Sequence, residues 1–275
     1  MTLVDLLLLL AILVIVPLAL NLVPFAFDPP WRQVVVTAAG VAAAGSYLVA
    51  QGTVAAVLAL PWLLFAITLG IAQLAAWLGP RSWSVDRLAP LVASGFLVFA
   101  AVWLVLDRAG AEVLGVGPPL VQLTSVHYHY AAFTATVLTA RVAQASAATA
   151  PRLALLAFAA VALSSPVIAI GFGLIDVLQP IGAVILTAGL WLASWLTWRH
   201  VAAQVGHRGA RVLLIISAVA VLAPMVLAVQ WATGSVFGTP ALSIPAMART
   251  HGMANAFGYS LCGVVAWRAA GVRPG

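Results

Sequence analysis

Long apolar runs separated by short polar breaks organise the chain. A membrane-spanning helix needs about 20 mostly apolar residues, and nine stretches fit that template: roughly 3–24, 33–50, 54–77, 87–106, 120–147, 152–174, 178–199, 211–232 and 246–270. The breaks carry turn chemistry: Phe27-Asp-Pro-Pro-Trp31, Gln51-Gly52, Gly79-Pro-Arg81, Gly115-Val-Gly-Pro-Pro119 and Thr233-Gly-Ser-Val-Phe-Gly-Thr-Pro240. The pattern predicts an all-α fold, a polytopic transmembrane helical bundle of about nine spans. It forms one integral membrane domain over residues 1–275.

Composition agrees. Of 275 residues, 64% are hydrophobic and 7% charged, against about 25% charged in a soluble domain. The first run lacks a basic leader and an obvious small-residue cleavage site, so it reads as a retained span. The net charge of +6 does not point to nucleic acid, because the basic residues are all arginines and lie between apolar runs. One side of the expected membrane collects Arg32, Arg81, Arg87, Arg141, Arg152, Arg199, Arg208, Arg211, Arg268 and Arg273; the other has Arg108 and Arg249. The positive-inside rule then places the N-terminus outside and the C-terminus in the cytoplasm of a multi-pass cell-membrane protein. The lone Cys262 lies in an apolar run, where thiols are generally inert packing groups.

A shift of 124 residues carries His127 onto His251, Ala132 onto Ala256, Phe133 onto Phe257 and Arg87 onto Arg211. It also carries spans two to five onto spans six to nine. This suggests a parallel four-span repeat after an extra N-terminal span (1–26), with halves 27–150 and 151–275.

The polar residues inside the spans carry the candidate chemistry. Leu123-Thr-Ser-Val-His-Tyr-His-Tyr-Ala-Ala-Phe133 and His251-Gly-Met-Ala-Asn-Ala-Phe-Gly-Tyr259 place three histidines in apolar surroundings, where ionisable groups generally mark function. On a helical rise of about 1.5 Å per residue they lie roughly 8–14 Å below the outer surface. On a regular helix His127 and His129 point to different faces, so they cannot share a metal. His251, Asn255, Tyr259 and Cys262 form one stripe. Facing stripes on spans five and nine would gather His127, His251, Asn255 and Tyr130 in one polar cavity. Asp107, Glu112 and Asp176 fall near its outer mouth, with Gln179 below Asp176. The competing reading is structural: intramembrane histidines often act as hydrogen-bond glue between helices. Zinc lacks a third ligand at suitable spacing. A haem held by His127 or His129 opposite His251 has no Cys-x-x-Cys-His companion. No metal or cofactor is therefore expected.

At these residues the chain resembles a known family. Val121-Gln-Leu-Thr-Ser-Val-His-Tyr-His-Tyr-Ala-Ala-Phe133 resembles the LTAVHFHYAGF signature of the YndJ-like bacterial membrane proteins, with Tyr128 for Phe and Ala132 for Gly. His251-Gly-Met-Ala-Asn-Ala-Phe-Gly-Tyr-Ser-Leu-Cys-Gly263 resembles their HGxxNALGF segment, and Asp107-Arg-Ala-Gly-Ala-Glu-Val-Leu-Gly115 also fits. The resemblance implies a polytopic membrane fold and carries over no catalytic residue.

Three functions follow as expectations. The first is a membrane enzyme performing protonation, isomerisation or cyclisation of a lipophilic, isoprenoid-like substrate. Asp107, Glu112, Asp176, His127, His129 and His251 would handle protons. Tyr128, Tyr130, Phe133, Asn255, Phe257, Tyr259 and Gln179 would line the substrate, the aromatic faces stabilising a developing cation. The second is a small-molecule or proton-coupled transporter with its site between the halves. The third is a structural membrane subunit whose histidines are glue.

Overall fold

The computed structural model describes residues 1–79, 82–113 and 115–271. Arg81 and Arg273, both expected on the inner side, lie outside the described residues, as does Pro80 of the third break. Helix occupies each of the nine apolar stretches. In order these are α1 (Leu3–Ala19), α2 (Arg32–Gly45, extended by a 3-10 turn over Ser46–Leu48), α3 (Thr53–Leu78), α4 (Val85–Ala109) and α5 (120–146). After them come α6 (Pro151–Gly173), α7 (Leu178–Gln204), α8 (Arg208–Phe237) and α9 (244–269). Among the described residues the only β pairing is an isolated bridge, Val113–Val116. Five helices, α3, α4, α6, α7 and α8, are long and apolar enough to cross a membrane.

Local chemistry sets several boundaries. Thr2 and Asp5 close a capping box at the start of α1, satisfying backbone N–H groups that have no intrahelical partner. Gly110 (φ 71°) ends α4 and Gly238 (φ 69°) ends α8, both in the left-handed conformation that glycine adopts without a Cβ clash. Pro151 opens α6 and the His207 Nδ1 accepts from the Ala210 N–H at the start of α8.

The helices are not all regular. π turns occupy Ala11–Ile15 in α1, Tyr128–Thr134 in α5, Thr197–Val201 in α7, and both Ala248–Gly252 and Ala254–Leu261 in α9. Helix α8 breaks at Val221, between Arg208–Ala220 and Leu222–Phe237. Pro224 lies just beyond; it has no N–H to donate, and its ring crowds the carbonyl four residues back.

The chain forms two compact units, Met1–Thr134 and Ala135 onward, divided within α5. In the first unit α1 packs on α2, α2 on α3, α3 on α4 and α4 on the N-terminal part of α5, which returns to α1. Trp62, Leu69, Leu97, Leu104, His129 and Phe133 fill its centre. The second unit repeats the scheme: the C-terminal part of α5 packs on α6, α6 on α7, α7 on α8, and α8 on α9, which meets α5 again. Within it, α6 and α7 approach closely at glycines. A Cβ built on Gly189 would lie 2.9 Å from the Ala160 Cβ and 3.1 Å from the Val161 backbone nitrogen.

Candidate functional site

In the first unit, the π turn of α5 aims His129 into the core. His129 is fully buried. The Trp62 indole N–H donates to its Nε2 at 3.0 Å, and Nδ1 lies 2.8 Å from the Ser125 carbonyl. An indole nitrogen only donates and a carbonyl only accepts. The ring is therefore the neutral tautomer with its hydrogen on Nδ1, and both nitrogens are engaged. The Thr134 hydroxyl donates to the His129 carbonyl (2.7 Å), across the five-residue step that the π turn creates. The Tyr130 hydroxyl donates to the Leu7 carbonyl (2.8 Å), at the edge of the α1 π turn, and Ser125 Oγ donates to the Ala100 carbonyl (2.9 Å). Phe133 stacks on Phe25, and Tyr128 packs against Phe96 and Phe99.

A second group gathers where all five helical stretches of that unit reach one end. Asp107 and Arg108, both buried, close α4. The Arg108 Nη2 donates to the Ser46 carbonyl (2.9 Å) and the Val49 carbonyl (3.1 Å), and its guanidinium lies 4.4 Å from the Tyr47 ring centroid. The Asp107 carboxylate is 3.8 Å from Arg108 Nη1 and accepts from Gln51 Nε2 (3.3 Å) and the Tyr47 hydroxyl (3.5 Å). Gln51 also donates to the Asp107 carbonyl (3.0 Å). Gln122 of α5 donates to Asp5 of α1. Burial grades outward: Asp107 and Arg108 are buried, Asp5, Tyr47 and Gln122 half-buried, and Gln51 exposed. The cluster thus joins a buried ion pair to the surface of the unit.

In the second unit the broken α8 is the focus. Its carbonyls at Leu222 and Pro224 accept from Trp191 Nε1 (3.1 Å) and His251 Nδ1 (2.8 Å), while the Thr187 hydroxyl, which donates to the Ala183 carbonyl (2.7 Å), lies 3.4 Å from the Met225 carbonyl. A backbone break inside a membrane needs such partners, since no water is present to supply them. With Nδ1–H donating to Pro224, the His251 ring keeps its Nε2 lone pair, and the Asn255 amide nitrogen lies beside the ring, 3.2 Å from Nε2 and 3.3 Å from Nδ1. Like His129, the ring gives one nitrogen to a backbone carbonyl.

The model of the YndJ-like family matches residues 6–259, nearly the whole chain. The chain belongs to the YndJ-like family. No curated protein and no solved structure matches it.

The remaining expected residues of this YndJ-like protein are divided between the two units. His127 is exposed, with Nδ1 2.6 Å from the Leu123 carbonyl. Glu112 and Asp176 are exposed, and Phe257 points outward at 43% exposure. Gln179 is buried; it donates to the Gly171 carbonyl (3.3 Å), and its Oε1 lies 3.2 Å from Ser235 Oγ, whose hydrogen is shared with the Ala232 carbonyl (2.9 Å). Tyr259 is buried beside Thr139. Of the expected stripe on α9, His251 and Asn255 do touch, but the π turns remove the regular phase that would align Tyr259 and Cys262 with them. Among the described residues no three His, Cys, Asp or Glu side chains gather to hold a metal ion. Sequence reasoning missed Trp62, Tyr47, Gln51 and Gln122. A tryptophan at mid-span, away from the interfacial belt, needs a partner for its N–H, and that signal was available for Trp62.

Proposed function

We propose that this YndJ-like protein is a proton-linked membrane carrier for a small polar solute, working through the Asp107–Arg108 cluster. One observation carries the reading: five helical stretches converge on a buried carboxylate and guanidinium that connect, through Tyr47 and Gln51, to the surface of the unit. Charges buried in a membrane protein are costly and generally serve ion or proton pathways. Two of the three signature histidines have another employment: His129 is hydrogen-bonded on both ring nitrogens, and His251 holds the Pro224 carbonyl with the Asn255 amide beside its ring.

The reading includes nine crossings, with the N-terminus outside, and a repeat of 124 residues. A pair of arginines supports the repeat. Arg87 Nη2 donates to the Ala76 carbonyl (2.7 Å), and Arg211 Nη2, the same interval on, to the Val205 carbonyl (2.8 Å); each ties down the end of the preceding helix.

Acid–base catalysis on a lipophilic, isoprenoid-like substrate is the second reading. It is favoured by the half-buried His251–Asn255 pair with Tyr259 on the same helix.

Purified protein on a solid-supported membrane, subjected to a pH jump, separates the two. The carrier reading expects a transient current as the cluster takes up protons. That current is lost in Asp107→Asn and reduced in Tyr47→Phe at equal reconstituted protein. A wild type as silent as empty membrane sinks the carrier. A new lipophilic product in extracts of cells expressing wild type, absent with His251→Ala, establishes the enzyme.

A further inference from the structure

The second unit holds a partly open void of about 20 Å³ among α5, α7, α8 and α9, lined by Thr139, Ser194, Thr197, Ser217 and Tyr259, together with Gly263 and Trp267. A void holds one water once it exceeds about 10–15 Å³, provided two to four polar groups face it. All five hydroxyl-bearing residues are at least nine-tenths buried, so bulk water does not satisfy them.

Their hydrogen bonds sort them into two sets. Ser194 donates to the Leu190 carbonyl (2.9 Å), Thr197 to the Ala193 carbonyl (2.8 Å) and Ser217 to the Tyr259 carbonyl (2.7 Å). A hydroxyl has one hydrogen and two lone pairs, so these three present only lone pairs to the void. Thr139 Oγ1, 1% exposed, makes no hydrogen bond of ordinary geometry and lies close to the Tyr259 hydroxyl. The Thr139–Tyr259 pair therefore keeps at least one hydrogen to give. A carbonyl-like ligand would satisfy only the donors, and an ammonium-like ligand only the acceptors. Water does both.

We infer that one ordered water occupies this void, accepting from the Thr139–Tyr259 pair and donating to two of Ser194, Thr197 and Ser217. It lies against the π turns of α7 and α9, whose residues Thr197 and Tyr259 line the void. The inference stands independently of the carrier reading.

X-ray radiolytic labelling of the full chain in detergent, read by mass spectrometry, tests it. Radicals formed from a bound water mark the side chains around it. Tyr259 and Leu138, which also lines the void, are expected to carry the label despite their burial, whereas Phe133, fully buried in the first unit, is not. Thr139→Val removes one partner at nearly constant volume, and loss of the Tyr259 label is expected. If that variant fails to fold, the double variant Ser194→Ala/Thr197→Ala, which leaves one of the three acceptors, replaces it with the same expectation. Labelling of Tyr259 no higher than that of Phe133, or unchanged labelling in a folded variant, overturns the inference.

Discussion

His129 shows how one side chain can have both of its polar atoms satisfied in a helical core. Its ring bridges the Trp62 N–H and the Ser125 carbonyl with no nitrogen left over. Removing one partner leaves a buried acceptor unmet, which costs about 1–3 kcal/mol, while replacing both by apolar groups of similar shape is close to neutral. Trp62→Phe is therefore expected to destabilise the protein by that amount. The double variant Trp62→Phe/His129→Phe should recover most of the loss, a coupling that a double-mutant cycle of thermal unfolding in detergent measures directly. Strictly additive losses would show that the two side chains do not act as a pair. At this scale the sequence was a partial guide. The polar character of the signature stretch was visible, but the partner of His129 lies 67 positions away on α3. Only the packing of α3 against the α5 side of the core brings the indole to it. Tyr47, Gln51 and Gln122 escaped notice for the same reason. Each is an ordinary polar residue at the edge of an apolar run, and they become a group only where five helical stretches end together.

At the scale of elements, the positions of the helices were legible and their internal geometry was not. Apolar runs of spanning length have few alternatives to helix, because every backbone N–H and C=O must be satisfied within the segment. The π turns leave no comparable trace. A widened turn shifts the helical phase without changing the hydrophobicity of the run, so stripes drawn at regular spacing fail at Tyr128–Thr134 and Ala254–Leu261. Helix contacts through glycine are better marked, and they yield a prediction. Gly189→Ala forces a Cβ to within 2.9 Å of the Ala160 Cβ and 3.1 Å of a backbone nitrogen that cannot rotate away. Overpacking of this kind costs about 1–3 kcal/mol. Gly95 in α4 has nothing within 4 Å of its built Cβ. There alanine is expected to be neutral or to stabilise by up to about 1 kcal/mol, through helix propensity alone. Thermal unfolding of the two variants, prepared in parallel, checks the contrast. Equal effects at both positions would mean that α6 and α7 do not pack at the distance the structure gives.

The whole molecule has two units with the same order of helix packing, and one arginine pattern runs through both. Arginines near the expected inner ends do structural work beyond signalling orientation. Arg32 pairs with Asp28 (3.1 Å) and donates to Asn21, while Arg87 and Arg211 cap carbonyls at the ends of preceding helices. An arginine in such a bond is fixed relative to the helix end, so its side of the membrane is the side of that loop. If nine helices cross with the N-terminus outside, Ala50 between α2 and α3 faces outward and Gly206 between α7 and α8 faces the cytoplasm. Both suit cysteine labelling: Ala50 is exposed, and Gly206 has nothing within 4 Å of a built Cβ. In a Cys262→Ser background, Ala50→Cys is expected to react with a membrane-impermeant maleimide on intact cells. Gly206→Cys should react only after permeabilisation. The reverse pattern would invert the molecule and put the Asp107–Arg108 cluster on the cytoplasmic side. Labelling of both sites from outside would mean an even number of crossings between them, and the repeat would then lose its parallel orientation. The outward position of the cluster thus rests on the side at which Ala50→Cys reacts, and the parallel four-span repeat on an odd number of crossings between the two positions, so one pair of cysteines tests both.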